Sequence, residues 1–120
     1  LSSTILIFLF FLFVKHAICD LAIQRLFPSD KTKYFNSQAH THYFHHGVGT
    51  FLVGLMIDIK FAFAIGFIDY LLHWHIDYTK SLIRKSYGWK EKDLQFWCLQ
   101  SVDQILHYLT YVFFATLLLQ

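Results

Sequence analysis

The sequence predicts an all-α protein, a single-domain bundle of four transmembrane helices with both termini on the non-cytoplasmic side. Three observations carry that prediction. Of the 120 residues, 56% are hydrophobic and 20% aromatic, while 15% are charged, against roughly 25% in ordinary soluble domains. The apolar residues gather into long runs, each close to the roughly 20 residues that cross a bilayer as a helix. The breaks between the runs hold most of the Lys and Arg, and they hold them unevenly. A net charge of +2 with no basic stripe gives no footprint for nucleic acid. The chain opens on Leu1, so a longer gene product is expected.

The first span covers residues 4–24. Ile5 to Val14 is apolar on every side, and its length also suits a signal-peptide core. Lys15-His16 follows directly without a small-x-small cleavage site, which favours a span. The second half of the span carries His16, Asp20 and Gln24 at i, i+4, i+8, one polar stripe. Arg25 and Pro28-Ser-Asp30 are expected to end it. Residues 26–38 form a basic, aromatic connector suited to the membrane surface.

The second span covers residues 39–57. It opens with His40, His42, His45 and His46, then turns apolar through Gly47, Gly49 and Gly54, which allow a close helix neighbour. Asp58-Ile-Lys60 is a short polar break, so spans two and three form a hairpin. The third span, residues 61–84, ends in Asp69-Tyr-Leu-Leu-His73-Trp-His75-Ile-Asp77-Tyr-Thr-Lys80. His73, Asp77 and Lys80 share one helix face. After a second basic loop, the fourth span covers residues 94–119 and carries Gln100, Asp103, Gln104 and His107 in its first half. Cys19 and Cys98 lie in apolar segments without metal-type spacing and are expected to be buried thiols.

The first and third loops with their flanks hold Arg25, Lys31, Lys33, Lys80, Arg84, Lys85, Lys90 and Lys92. The positive-inside rule puts these loops in the cytoplasm. Depth can then be assigned. His16, His46, His73 and His107 form one layer, and Asp20, His42, Asp77 and Asp103 form a layer one turn nearer the cytoplasm. Ionisable groups inside a membrane are costly and normally have a task. Imidazole and carboxylate converging from four helices suit a divalent cation, zinc first, with iron or manganese as alternatives. Gln24, Asp69, Lys80 and Gln104 are the supporting positions. Asp69 lies one turn deeper than His73, and Lys80 stands at the mouth as a snorkelling lysine or an anchor for phosphate or carboxylate. His40, His45 and His75 fall off the shared faces. The alternative for the whole set is a metal-free polar network, a proton path or interhelical glue.

These motifs together resemble an uncharacterised family of small bacterial and phage integral membrane proteins, known only by a domain-of-unknown-function label. The resemblance runs from about residue 13 to 115. It rests on His16-x3-Asp20 with Gln24, His42-x3-His46, His73-x3-Asp77-x2-Lys80, and Asp103-Gln104-x2-His107. Leu21 stands where the family pattern has an aromatic. The resemblance implies a bacterial inner membrane, or that of the host for a phage-encoded chain, and implies no reaction.

The function expected from the residues is a metal-dependent hydrolase acting on a lipid-like or interfacial substrate. His42-Tyr-Phe-His45-His46 is similar to a histidine box of di-iron membrane desaturases, but those enzymes carry more boxes on a longer chain. Other readings are a conduit or carrier for a metal ion or proton, and a non-catalytic subunit of a larger membrane complex. Besides the bilayer, a homo-oligomer or such a complex is the partner to consider.

Overall fold

The structure, a computed structural model, describes residues 2–27 and 29–119. Pro28, expected to help end the first helix, and Leu1, from which a longer product is expected, lie outside the described residues. Four long helices make up the fold, and there is no strand among the described residues. They are α1 (Ser3–Leu26), α2 (Ser37–Gly54), α3 (Ile59–Tyr87) and α4 (Leu94–Leu117).

Three of the four helix starts are set by a short polar side chain. Ser2, Asn36 and Asp58 accept hydrogen bonds from the backbone N–H groups of Ile5, Ala39 and Phe61, satisfying donors that a helix leaves open at its first turn. Asp58 thus joins α2 to α3 across a turn of four residues, Leu55–Asp58. Lys60, expected in that break, already lies in the first turn of α3. At the other end of α3, Gly88 takes φ 67°. Its N–H and that of Trp89 bond back to the carbonyls of Lys85 and Arg84, a left-handed helix stop that glycine adopts without steric cost. The sequence pattern ends α3 near Arg84; the helix runs one turn further because this cap lies at Gly88.

The hairpin is close. A Cβ on Gly47 would sit 3.1 Å from the Gly66 carbonyl oxygen, and one on Gly66 would sit 3.0 Å from that of Gly47. α1 departs from α-helical geometry over Ile18–Ile23, which form a π-helical segment containing Cys19 and Asp20. Such segments re-aim side chains relative to the α period.

The apolar core, built on Phe8, Leu12, Ile65, Tyr111, Phe114 and Ala115, occupies the end of the bundle near the chain termini. The other half of the interior is polar. Outward-facing positions are strongly apolar: Phe10 is 61% exposed and Phe67 66%. By length and composition α1 is apolar enough to cross a membrane. The other three helices fall short of that measure among the described residues. Cys19 is buried as expected. Cys98 is exposed, a correction: it lies one turn into α4, on the side turned away from the bundle.

The connector between α1 and α2 is tied down. Thr32 donates to the Asp30 carboxylate from both its backbone N–H and its hydroxyl, and these bonds hold the Asp30 carboxyl below its ordinary pKa. The Tyr34 ring lies tilted against Trp74 with ring centroids 4.5 Å apart, and the Trp74 indole donates to the Tyr34 carbonyl at 3.0 Å. Two of the three off-face histidines serve this docking. His40 bridges the Tyr34 carbonyl and the Tyr70 hydroxyl, and His75 meets the Tyr34 hydroxyl at 2.8 Å.

Candidate metal centre

The eight residues proposed as ligands converge from all four helices. His46 and His73 stack with ring centroids 3.6 Å apart, and His73 and His107 stack at 3.9 Å. The His16 ring lies 5.3 Å from both His46 and His107. One turn outward, Asp20 Oδ1 is 2.6 Å from His46 Nε2 and 3.3 Å from His42 Nε2. His42 Nε2 is in turn 3.6 Å from Asp77 Oδ2, so His42 stands between the carboxylates of α1 and α3. Asp77 and Asp103 approach His107 Nε2 at 3.1 and 3.4 Å.

Two groups have spacing compatible with a shared ion. His16, Asp20, His46 and His73 offer ligand atoms within 4.8 Å of one another, as do Asp77, Asp103 and His107. His42 belongs to neither group and bridges the two.

Beneath these two layers lies a third. Lys15, Thr50, Asp69 and Tyr111 are all buried. The Lys15 ammonium contacts Asp69 Oδ2 at 2.9 Å, the Tyr111 oxygen at 2.9 Å and His46 Nδ1 at 3.0 Å. Thr50 donates to the same Asp69 oxygen. The other, Oδ1, faces His73 Nδ1 at 2.7 Å. A carboxylate can only accept here, so His73 Nδ1 carries the proton and its Nε2 keeps a lone pair. Carboxylates orient metal-binding histidines in this way. Asp69 therefore reads as the residue that aims His73.

Donor logic fixes other rings too. An ammonium can only donate, so His46 accepts at Nδ1 and donates from Nε2 to Asp20. Tyr111 accepts from Lys15 and donates to His16 Nδ1 at 2.7 Å; His16 Nε2 then donates to Gln104 Oε1 at 2.9 Å. The Gln104 amide passes its N–H groups to Asp20 and Asp103 at 3.2 and 3.0 Å. To bind a cation through Nε2, His16 and His46 would switch tautomer and carry the proton on Nδ1, where Tyr111 and Lys15 now donate.

Several buried atoms have no protein hydrogen-bond partner: both nitrogens of His42, Nε2 of His73, Nδ1 of His107 and Oδ1 of Asp103. His42 Nε2 lies 3.3 and 3.6 Å from carboxylate oxygens of Asp20 and Asp77, and Asp103 Oδ1 3.4 Å from His107 Nε2, without hydrogen-bond geometry. Tyr43 Oη and His45 Nδ1 also lack a partner. The first five atoms all belong to the converging set.

The mouth holds Lys80, 3.3 Å from both Asp103 Oδ2 and Gln100 Oε1, and Lys31, which reaches in from the connector. Lys31 Nζ lies 2.9 Å from Asp77 Oδ2 and 2.7 Å from Gln24 Oε1. The polar interior thus sets the carboxylates Asp20, Asp69, Asp77 and Asp103 against the ammonium groups of Lys15, Lys31 and Lys80.

A family model described as "Protein of unknown function (DUF3307)" matches residues 8–120. The chain belongs to the DUF3307 family. No curated protein and no solved structure matches it. All four motifs behind the resemblance to an uncharacterised family lie inside the DUF3307 match.

Lys15, Lys31, Thr50 and Tyr111 are the site residues that sequence reasoning missed. Thr50 and Tyr111 had a signal, since each lies one turn beyond a proposed ligand, His46 and His107. Lys15 and Asp69 were the two charges inside spans without an assigned partner, and pairing them would have found the contact. Lys31 had no such signal, because its reach depends on how the connector docks.

Proposed function

We propose that this protein is a four-span integral membrane protein that holds one or two divalent cations in the cytoplasmic half of its bundle and acts as a metal-dependent hydrolase on a lipid-like or interfacial substrate. Zinc is the first candidate, with iron and manganese as alternatives. The observation that carries the reading is a set of buried ligand-type atoms within the converging residues that make no hydrogen bond, His42 Nδ1, His73 Nε2 and His107 Nδ1 having no ion-pair partner either. Burying such atoms without a partner costs about 1–3 kcal/mol each, and a cation is the partner that histidine nitrogens and carboxylate oxygens share. The membrane assignment is supported by large apolar side chains facing outward around a charged interior, the reverse of a soluble bundle.

The bound cation would lower the pKa of a water and supply hydroxide near neutral pH. The chain does the rest. Asp69 aims His73, Gln104 holds Asp20 and Asp103 in register, and whichever of Asp20 and Asp77 is not a ligand can take a proton from the water. A conduit finds less support, because Phe8, Leu12, Ile65 and Phe114 fill the interior beyond Tyr111 and leave no polar route along the bundle axis.

Elemental analysis of the purified protein is expected to find at least one equivalent of metal. His73→Ala and Asp103→Ala are expected to lose it, and Asp69→Asn to keep it with affinity roughly 10–100-fold weaker. A wild-type protein without stoichiometric metal overturns the reading.

A further inference from the structure

A cleft of about 690 Å³ opens over the site between α1 and α4. Its floor is His16, Asp20 and Asp77. One wall is apolar, made by Phe13, Ala17, Leu21, Trp97 and Tyr108. Leu21 is 73% exposed and Trp97 52%, so this wall continues onto the outer surface of the bundle. Phe13 and Tyr108 meet edge to face, 5.6 Å between ring centroids, on the side toward the apolar core. The polar part of the lining holds Lys31 and Lys80 with the carboxamides of Gln24, Gln100 and Gln104.

We propose that this cleft binds an amphiphile with a phosphate-type anionic headgroup, the headgroup held by Lys31 and Lys80 and the hydrocarbon lying along the Leu21–Trp97 wall. The proposal rests on the metal-centre reading above and names its substrate class. Three features of the cleft select this ligand. Two ammonium groups in one cleft match the charge of a phosphate and can donate to its several oxygens. The neighbouring carboxamides add uncharged donors. The exposed wall is mostly hydrocarbon and aromatic ring, with the Trp97 indole N–H already donating to the Glu91 carbonyl, and it fits a chain that enters sideways from lipid.

The electrostatics also couple the anion to the metal. Lys31 and Lys80 are engaged with Asp77 and Asp103, and Asp20 and Asp77 at the floor repel an anion. A cation held by Asp20, Asp77 and Asp103 would offset that repulsion and weaken the hold of Asp77 and Asp103 on the two lysines, so anion binding is expected to be stronger with metal than without it.

The test is equilibrium binding of decyl phosphate to the detergent-purified protein, with zinc and after chelation. Inorganic phosphate and a neutral decyl maltoside serve as comparisons, and metal content is measured on the same samples. With zinc, decyl phosphate is expected to bind at least tenfold more tightly than either comparison, and chelation to abolish that advantage. Lys31→Gln and Lys80→Gln are each expected to weaken it about tenfold, and Lys31→Arg/Lys80→Arg to restore most of it. Trp97→Ala is expected to weaken decyl phosphate and leave inorganic phosphate unchanged. The thermal melt of each variant separates loss of binding from loss of fold.

If zinc is bound stoichiometrically yet decyl phosphate binds no better than decyl maltoside, the cleft proposal fails and the metal reading stands. Inorganic phosphate binding as tightly as decyl phosphate overturns the lipid source. Equal binding after chelation overturns the proposal as stated. Failure to find any metal removes the reading on which it rests.

Discussion

A lysine can stay buried in an apolar helix when acceptors surround its ammonium group. Around Lys15 these are Asp69, Tyr111 and His46. Its methylene stem is also confined, since a Cβ on Gly49 would lie 2.6 Å from Lys15 Cδ. The pair Lys15–Asp69 is the inner seal of the site. Removing one partner leaves the other charge buried and uncompensated, which costs about 3–5 kcal/mol. Lys15→Met is therefore expected to lower the thermal midpoint sharply, read by helical circular dichroism in detergent. Lys15→Met/Asp69→Asn is expected to be less destabilised than Lys15→Met alone, because an amide can still accept from His73 and carries no charge. Strictly additive losses would show that the two side chains do not depend on each other.

At the scale of elements, α2 and α3 form the closely packed half of the bundle, with backbones in contact at Gly47 and Gly66. That contact fixes the relative height of His42 and His46 on one helix and of Asp69, His73 and Asp77 on the other. Gly66→Ala puts a methyl against the Gly47 carbonyl and the Phe51 side chain, which must shift. Overpacking of this kind costs about 1–3 kcal/mol. The variant is expected to melt earlier and also to bind zinc more weakly, although it touches no proposed ligand. Gly88→Ala is the control: it strains a left-handed backbone position with nothing within 4 Å of the new methyl, so stability should fall while zinc affinity holds. Equal zinc affinity in Gly66→Ala and wild type would mean that the site does not depend on the close approach.

The whole molecule is divided along its long axis. One end is hydrocarbon inside and out; the other buries acids, lysines and imidazoles behind an apolar exterior. On the four-span reading proposed above, the polar end faces the cytoplasm with the first and third loops. Single-cysteine labelling in a Cys98→Ser background tests this, since Cys98 is exposed and Cys19 buried. In intact bacterial cells, Lys60→Cys is expected to react with a membrane-impermeant maleimide, and Ser86→Cys only after permeabilisation. The reverse pattern would invert the topology, and reaction of both from one side would remove the four-span arrangement.

The residues by themselves determined the helical class, the four helices and the membership of the converging set. Short caps, apolar runs and i, i+4 pairs such as His73 and Asp77 act within one helix, so local spacing is enough to read them. Tyr111 and Thr50 were legible in the same way, as the next turn of two such rows. Only the tertiary structure decided which atoms meet. The proton on His73 Nδ1 is placed by Asp69, whose own charge is balanced by Lys15 from another helix. Asp20 is aimed by a π-helical segment that the α-helical period does not contain. Lys31 reaches Asp77 because Tyr34 and Trp74 dock a connector that composition describes only as basic and aromatic. Each of these depends on distances between segments far apart in the chain, set by packing rather than by any local preference.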